Sequence, residues 1–306
     1  MNAIRLSRAF VLTLFAIVSS RAYGQKTLTF SMPESVLLFG SPDFELRVVR
    51  GTSVQILKPP AKQGAFNYPA LASDGSLVAW GFPLKVARAD ERRRFTLGIS
   101  PTAQQEWKTH GDFEDIGAAA FSSDRSRVAF AAVSDRQNSL RVLNLPSGEM
   151  ATLTQLSGVA ERAKLSWSPD GKQLVAEVQN GDQPEKISVA DLGKGDVKVI
   201  GKGVDPAWSP TGKWIVYFDV KRQKCVLVHP DGTGTRVVRN LGRKLLQYRM
   251  FGYGAAWSPD GRQLLLNEMK GEGGNIDVML LDLASGKVTR KSKDGLPAFG
   301  WAERTP

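Results

Sequence analysis

Leu165-Ser166-Trp167-Ser168-Pro169-Asp170-Gly171-Lys172-Gln173-Leu174-Val175-Ala176 is the stretch on which the reading of this chain turns, because it comes back. It returns as Pro206-Ala207-Trp208-Ser209-Pro210-Thr211-Gly212-Lys213-Trp214-Ile215-Val216-Tyr217 and again as Ala255-Ala256-Trp257-Ser258-Pro259-Asp260-Gly261-Arg262-Gln263-Leu264-Leu265-Leu266. Looser copies begin at Pro69 and Ala119. A large apolar residue (Leu71, Phe121, Trp167, Trp208, Trp257) is each time preceded by a small one (Ala70, Ala120, Ser166, Ala207, Ala256). The turn that follows is built from proline, which fixes φ, aspartate, which caps locally, and glycine, which accepts φ > 0. After it comes an apolar run without alternation, the mark of a strand buried on both faces.

The turn residues Asp74, Asp124, Asp170, Thr211 and Asp260 recur at intervals of about 40 to 50 residues, the period of propeller blades. Two more strand-like runs follow each phrase: Lys186–Leu192 and Asp196–Ile200 after the third, for example, or Ile276–Leu283 and Lys287–Thr289 after the fifth. Each repeat therefore reads as a four-stranded antiparallel blade. The ends complete the count. Pro297-Ala298-Phe299-Gly300-Trp301 matches the opening of the phrase, and Val36–Phe39, Phe44–Val49 and Ser53–Leu57 are strand-like with no phrase before them. An all-β, six-bladed propeller is expected, with its N- and C-terminal strands sharing one blade (residues 25–60 plus 297–306) and so leaving no open edge in the ring.

The phrase resembles the WD40-like (PD40) repeat of TolB-type propellers, in five copies and one half copy over most of the chain. The resemblance implies an exported, non-catalytic scaffold that binds a protein of the cell envelope, as the propeller of that family binds the lipoprotein Pal. The family's α/β domain has no counterpart in the short stretch before the first phrase. The same repeat precedes the catalytic domain of prolyl-oligopeptidase-type hydrolases, but no G-x-S-x-G elbow occurs here. Sialidase Asp boxes are a poor match, since glycine directly follows Asp170 and Asp260.

Arg5 and Arg8 precede the apolar run Ala9–Val18 and the small-x-small site Ala22-Tyr23-Gly24, a secretory signal peptide with cleavage expected before Gln25. Residues 1–24 are thus a leader and 25–306 one propeller domain, periplasmic or secreted. The apolar run is shorter than the roughly 20 residues of a membrane span, so contact with a membrane is expected only through a partner. The chain has 306 residues, 42% of them apolar, and a formal charge of +11. Basic residues gather at Arg92–Arg94, Lys221–Lys224 and Arg236–Arg249, which would suit an anionic partner, and export argues against nucleic acid. The single cysteine, Cys225, lies in an apolar strand-like run and is expected to be a buried thiol.

Only two histidines occur, His110 and His229, at dissimilar places in their repeats, so neither a metal site nor a cofactor is expected. The binding residues are sought where the inner strands begin, because loops on a rigid scaffold carry function. Three positions before the large residue stand Tyr68, Ala118, Lys164, Asp205, Gly254 and Ala298; one earlier are Asn67, Gly117, Ala163, Val204, Tyr253 and Pro297. The stretch Gln247–Tyr253 is rich in the tyrosine and arginine that anchor interfaces. Tyr68, Lys164, Asp205, Arg249 and Tyr253 are the candidate partner-binding residues. Asp74, Asp124, Asp170, Asp260, Trp167, Trp208, Trp257 and Trp301 are read as residues of the structural repeat. An enzyme acting on a glycan or small molecule in the central funnel is the competing reading, favoured by facing carboxylates there and opposed by small, apolar walls.

Overall fold

The computed structural model describes residues 35–40, 46–50, 53–58, 69–84, 94–104, 106–154, 156, 159, 164–179, 185–240, 255–270, 275–295 and 298–303. Among the described residues, twenty-four strands form six four-stranded antiparallel sheets. Blade 1 comprises β1 (Ser35–Gly40), β2 (Leu46–Arg50) and β3 (Ser53–Leu57); blade 2, β4 (Ala70–Leu71), β5 (Leu77–Pro83), β6 (Phe95–Pro101) and β7 (Lys108–Phe113). Blade 3 holds β8 (Asp115–Phe121), β9 (Arg127–Ser134), β10 (Gln137–Asn144) and β11 (Met150–Leu153); blade 4, β12 (Leu165–Trp167), β13 (Gln173–Val178), β14 (Lys186–Asp191) and β15 (Val197–Lys202). Blade 5 holds β16 (Val204–Trp208), β17 (Ile215–Asp219), β18 (Lys224–Val228) and β19 (Arg236–Asn240); blade 6, β20 (Ala256–Trp257), β21 (Gln263–Lys270), β22 (Asn275–Asp282) and β23 (Val288–Gly295). The last strand, β24 (Ala298–Glu303), returns to blade 1 and pairs with β1, giving the order β24-β1-β2-β3.

The ring is held by six hydrophobic seams, one between each consecutive pair of blades. The large residue of each phrase packs at the seam with the preceding blade. Leu71 joins Leu38 and Leu46; Phe121 joins Leu97 and Phe113; Trp167 joins Ala129 and Leu140. Trp208 sits with Val175 and Ile187, Trp257 with Phe218 and Leu227, and Trp301 with Leu265 and Val278. The last contact closes the circle, since Trp301 belongs to the blade shared by the two ends of the chain. Of these large residues, the buried Trp167, Trp208 and Trp257 each contribute roughly 2–3 kcal/mol of transfer free energy. The small position has its reason too: a Cβ on Gly300 would lie 2.7 Å from that of Leu71 in the next blade.

Polar contacts bind the same seams. The indole of Trp167 donates to the Ala120 carbonyl and that of Trp257 to the Ala207 carbonyl, both at 3.0 Å. Trp208 departs from this pattern: its indole donates to Gly212 in its own turn, while its backbone N–H donates to the Ser166 hydroxyl. Serine stands there where the other blades have alanine or glycine. Cys225 is fully buried on β18, where desolvation pushes its thiol up to about 12.

The turns are tied by the serine that opens them, a role beyond the proline, aspartate and glycine chemistry read from the phrase. In blade 4 the Ser168 hydroxyl donates to Asp170 at 2.6 Å and accepts from the Gln173 amide at 2.9 Å, while Asp170 also accepts from the Lys172 amide. Ser258 and Asp260 repeat this in blade 6, and Ser122 and Asp124 in blade 3, where Arg125 adopts the φ of +61° that glycine takes elsewhere. In blade 2 the pattern is shorter, Asp74 accepting from the amide and hydroxyl of Ser76. Consecutive turns touch, through Arg125 to Asp74 and Ser123 to Pro169.

Ser258→Ala is expected to cost about 1–3 kcal/mol in chemical denaturation, since its hydroxyl loses both the bond to Asp260 and that from the Gln263 amide. The turn carboxylates also make stability pH-dependent. The Ser122 hydroxyl, with the Ser126 amide, holds the Asp124 carboxyl down at about 2, from an ordinary 3.8. A depressed carboxyl stabilises the fold above its unfolded value, and that contribution is lost as the pH falls through the folded one. The melting temperature should therefore drop between about pH 4 and about pH 2, less steeply in Ser122→Ala.

Candidate functional site

Every inner strand enters the ring at one end and leaves at its turn at the other, so the residues that begin these strands share a face. Of the entry positions, Ala118, Lys164, Asp205 and Ala298 are described; Tyr68, Arg249 and Tyr253 lie outside the described residues. Ala118 and Ala298 are buried and apolar. Lys164 and Asp205 meet across the junction of blades 4 and 5, with Nζ 4.0 Å from Oδ1.

Their neighbourhood is unusual in three physical respects. First, Asp205 has a φ of +55°, a left-handed conformation that non-glycine residues take up at a cost. Second, it lies in a bulge: β16 pairs Val204 with Phe218 and then Ala207 with Val216. Bulges re-aim side chains and gather beside functional sites. Third, Asp205 is buried and Lys164 is largely withdrawn from solvent. Desolvation pulls the Lys164 ammonium below its ordinary value against the opposing pull of Asp205 and Glu177, and desolvation raises the Asp205 carboxyl against the pull of Lys164. Strain and perturbed ionisation at one place are the physical signature of a functional site.

Two further residues belong to this face. Glu177, on β13, accepts from the Asp205 amide at 3.4 Å and donates its own amide to the Lys164 carbonyl at 3.2 Å. Asn267 holds the same position of its phrase as Glu177. Its amide donates to the Ala298 carbonyl at 2.9 Å and its Oδ1 accepts from the Ala298 N–H at 2.8 Å. In both blades a polar residue of the second strand thus grips the first strand of the next blade. The signal was present in the sequence, a polar residue ending the apolar runs Leu174–Ala176 and Leu264–Leu266.

Elsewhere on the described inner strands Ala70, Ala118, Ala119, Leu165, Val204, Ala256 and Ala298 are buried, and a further carboxylate, Asp115, begins β8. Among the described residues no three His, Cys, Asp or Glu side chains are grouped so as to hold a metal ion. His229 stacks on Trp214 with ring centres 4.0 Å apart, and His110 lies on the outer strand β7. At the entry face two carboxylates, Glu177 and Asp205, flank a lysine.

This architecture is that of a TolB-like six-bladed β-propeller. TolB from Acinetobacter baumannii matches with a TM-score of 0.68 at 15% identity, over 88% of this chain and 66% of that one. The putative TolB from Agrobacterium tumefaciens matches at 0.58 and 16% identity, over 89% and 99% of the two chains. An oligogalacturonate lyase in complex with manganese matches at 0.50 and 15% identity, over 76% and 72%. At these identities the likeness is one of fold. No protein-family model matches the sequence, and no curated protein does.

Proposed function

We propose that this chain is an exported, non-catalytic propeller whose inner-strand entry face binds a protein or another component of the cell envelope. The observation that carries the reading is the Lys164–Asp205–Glu177 cluster, with its buried, strained Asp205, at the mouth of a largely small and apolar wall. A rigid ring that spends backbone strain to fix charges at one mouth is suited to recognition, where geometry must be set before the partner arrives. Tyr68, Arg249 and Tyr253, which precede the phrases at Pro69 and Ala255 in the sequence, are proposed as the anchoring side chains. The leader of residues 1–24 directs the domain of residues 25–306 to the periplasm or beyond, any membrane contact is through the partner, and no cofactor takes part.

Immobilised mature protein should capture a specific partner from a solubilised envelope fraction, and the Arg249→Ala, Tyr253→Ala double variant should lose most of it. Equal recovery by both would remove this face from the proposal. The alternative, an enzyme acting on a glycan or small molecule, draws support from one observation: a half-buried lysine held below its usual pKa beside two carboxylates, a setting suited to proton transfer. Turnover of an oligosaccharide panel that is abolished in Lys164→Met would select that reading.

A further inference from the structure

The outermost strands differ around the ring. β15 carries Lys198 and Lys202, β19 carries Arg236 and Arg239, and neither holds an acid. β3 and β11 hold no charge, and β7 balances Lys108 with Asp112. β15 also exposes two large apolar side chains, Val197 at 44% and Val199 at 52%, while Ile200 is the residue of this strand that enters a seam.

The register of β15 sharpens this. It pairs Val197 with Ala190 and Val199 with Ser188, then, past a bulge, Lys202 with Lys186. Lys186, Ser188 and Ala190 alternate along β14 and so share a face. Plain alternation would set Lys202 opposite the two valines; the bulge brings it to their side. The result is a strip of two exposed valines and an ammonium on one face, with Lys198 on the other. β15 ends the sheet order β12-β13-β14-β15, so among the described residues no strand lies beyond its outer row of N–H and C=O groups. Lysine on such an edge is a guard against pairing with a second copy. Here it is a selective guard, since another copy brings the same cations and an acidic strand brings their complement.

We propose that the β15 edge is a docking site for an extended acidic segment of a partner protein. The segment adds to blade 4 as a fifth strand, with its carboxylates at Lys198 and Lys202 and its apolar side chains over Val197 and Val199. In strand addition the backbone bonds supply affinity and the alternate side chains supply selection. The site is separate from the entry face and stands or falls independently of it.

The test uses the mature protein and a fluorescein-labelled valine–glutamate peptide, about six residues long to match a strand, with two valines and a glutamate on one face and glutamates on the other. Anisotropy should show saturable binding, with the amide resonances of Val197 to Ile200 shifting on titration. Lys198→Glu with Lys202→Glu should weaken it at least about tenfold, and Arg249→Ala with Tyr253→Ala should leave it unchanged. A peptide alternating valine and lysine should not bind. The same valine–glutamate peptide, N-methylated along one edge, should lose affinity in the orientation that needs that edge. Equal binding of peptides methylated on either edge would mean charge attraction without strand addition, and would overturn the proposal. So would capture of phosphatidylglycerol vesicles through Lys198 and Lys202 with no peptide binding, or an absence of shifts along β15.

Discussion

Asn267→Leu is expected to destabilise the propeller by about 2–4 kcal/mol, because two buried backbone groups lose their partner at once. The wild-type side chain satisfies both the N–H and the C=O of Ala298, the first residue of the strand that closes the ring. Leucine has a similar volume, so packing is nearly kept while the N–H and C=O are left without a partner in a site that is already dry. In a domain of this size the loss corresponds to a fall in melting temperature of about 5–10 °C. Chemical denaturation with an unchanged slope would show that stability alone has altered. Asn267→Asp is the informative companion, since its carboxylate can still accept from the Ala298 N–H but, once ionised, cannot donate to the carbonyl. A leucine variant that melts with the wild type would mean that blade 1 is held by β24–β1 pairing without help from blade 6.

The second large effect is expected from Lys164→Met, at about 3–5 kcal/mol near neutral pH. The variant leaves the Asp205 carboxylate buried without the ammonium now 4.0 Å away. Its pH dependence distinguishes lost charge from lost packing. The folded Asp205 carboxyl is already raised from 3.8 by burial, and Lys164 is the group that pulls it down. A carboxyl whose folded pKa lies above its unfolded one favours the fold when protonated, and that advantage disappears as the pH climbs through the folded value. The variant's deficit should therefore shrink as the pH is lowered from about 7 towards about 4.5, and Lys164→Met combined with Asp205→Asn should recover part of it. A deficit that is flat with pH would assign the effect to packing. Asparagine is the right replacement because it tolerates the left-handed backbone at this position.

Most of the architecture was legible because its determinants are local and repeated. Ser168-Pro169-Asp170-Gly171 makes its turn from neighbouring residues alone, and the recurrence of that turn sets the blade count. Ring closure was readable from Ala298-Phe299-Gly300-Trp301 as an orphan half of the same phrase. The charged pair of the entry face emerged by counting back from Trp167 and Trp208 to Lys164 and Asp205. Glu177 and Asn267 were passed over, since a polar residue at the end of an apolar run is the ordinary look of a strand leaving the core. Only the placement of the next blade shows that each grips a neighbour's backbone. The re-aimed Lys202 was illegible for a related reason: a bulge is a property of pairing between two strands, and neither strand announces it alone.

The pairing of β24 with β1 also governs when the molecule can come into being. β1 is the first described strand and β24 the last, so the opening sheet stays incomplete until all the blades between them have been made. Contacts of such wide sequence separation form slowly, so completion of this sheet is a late event in folding.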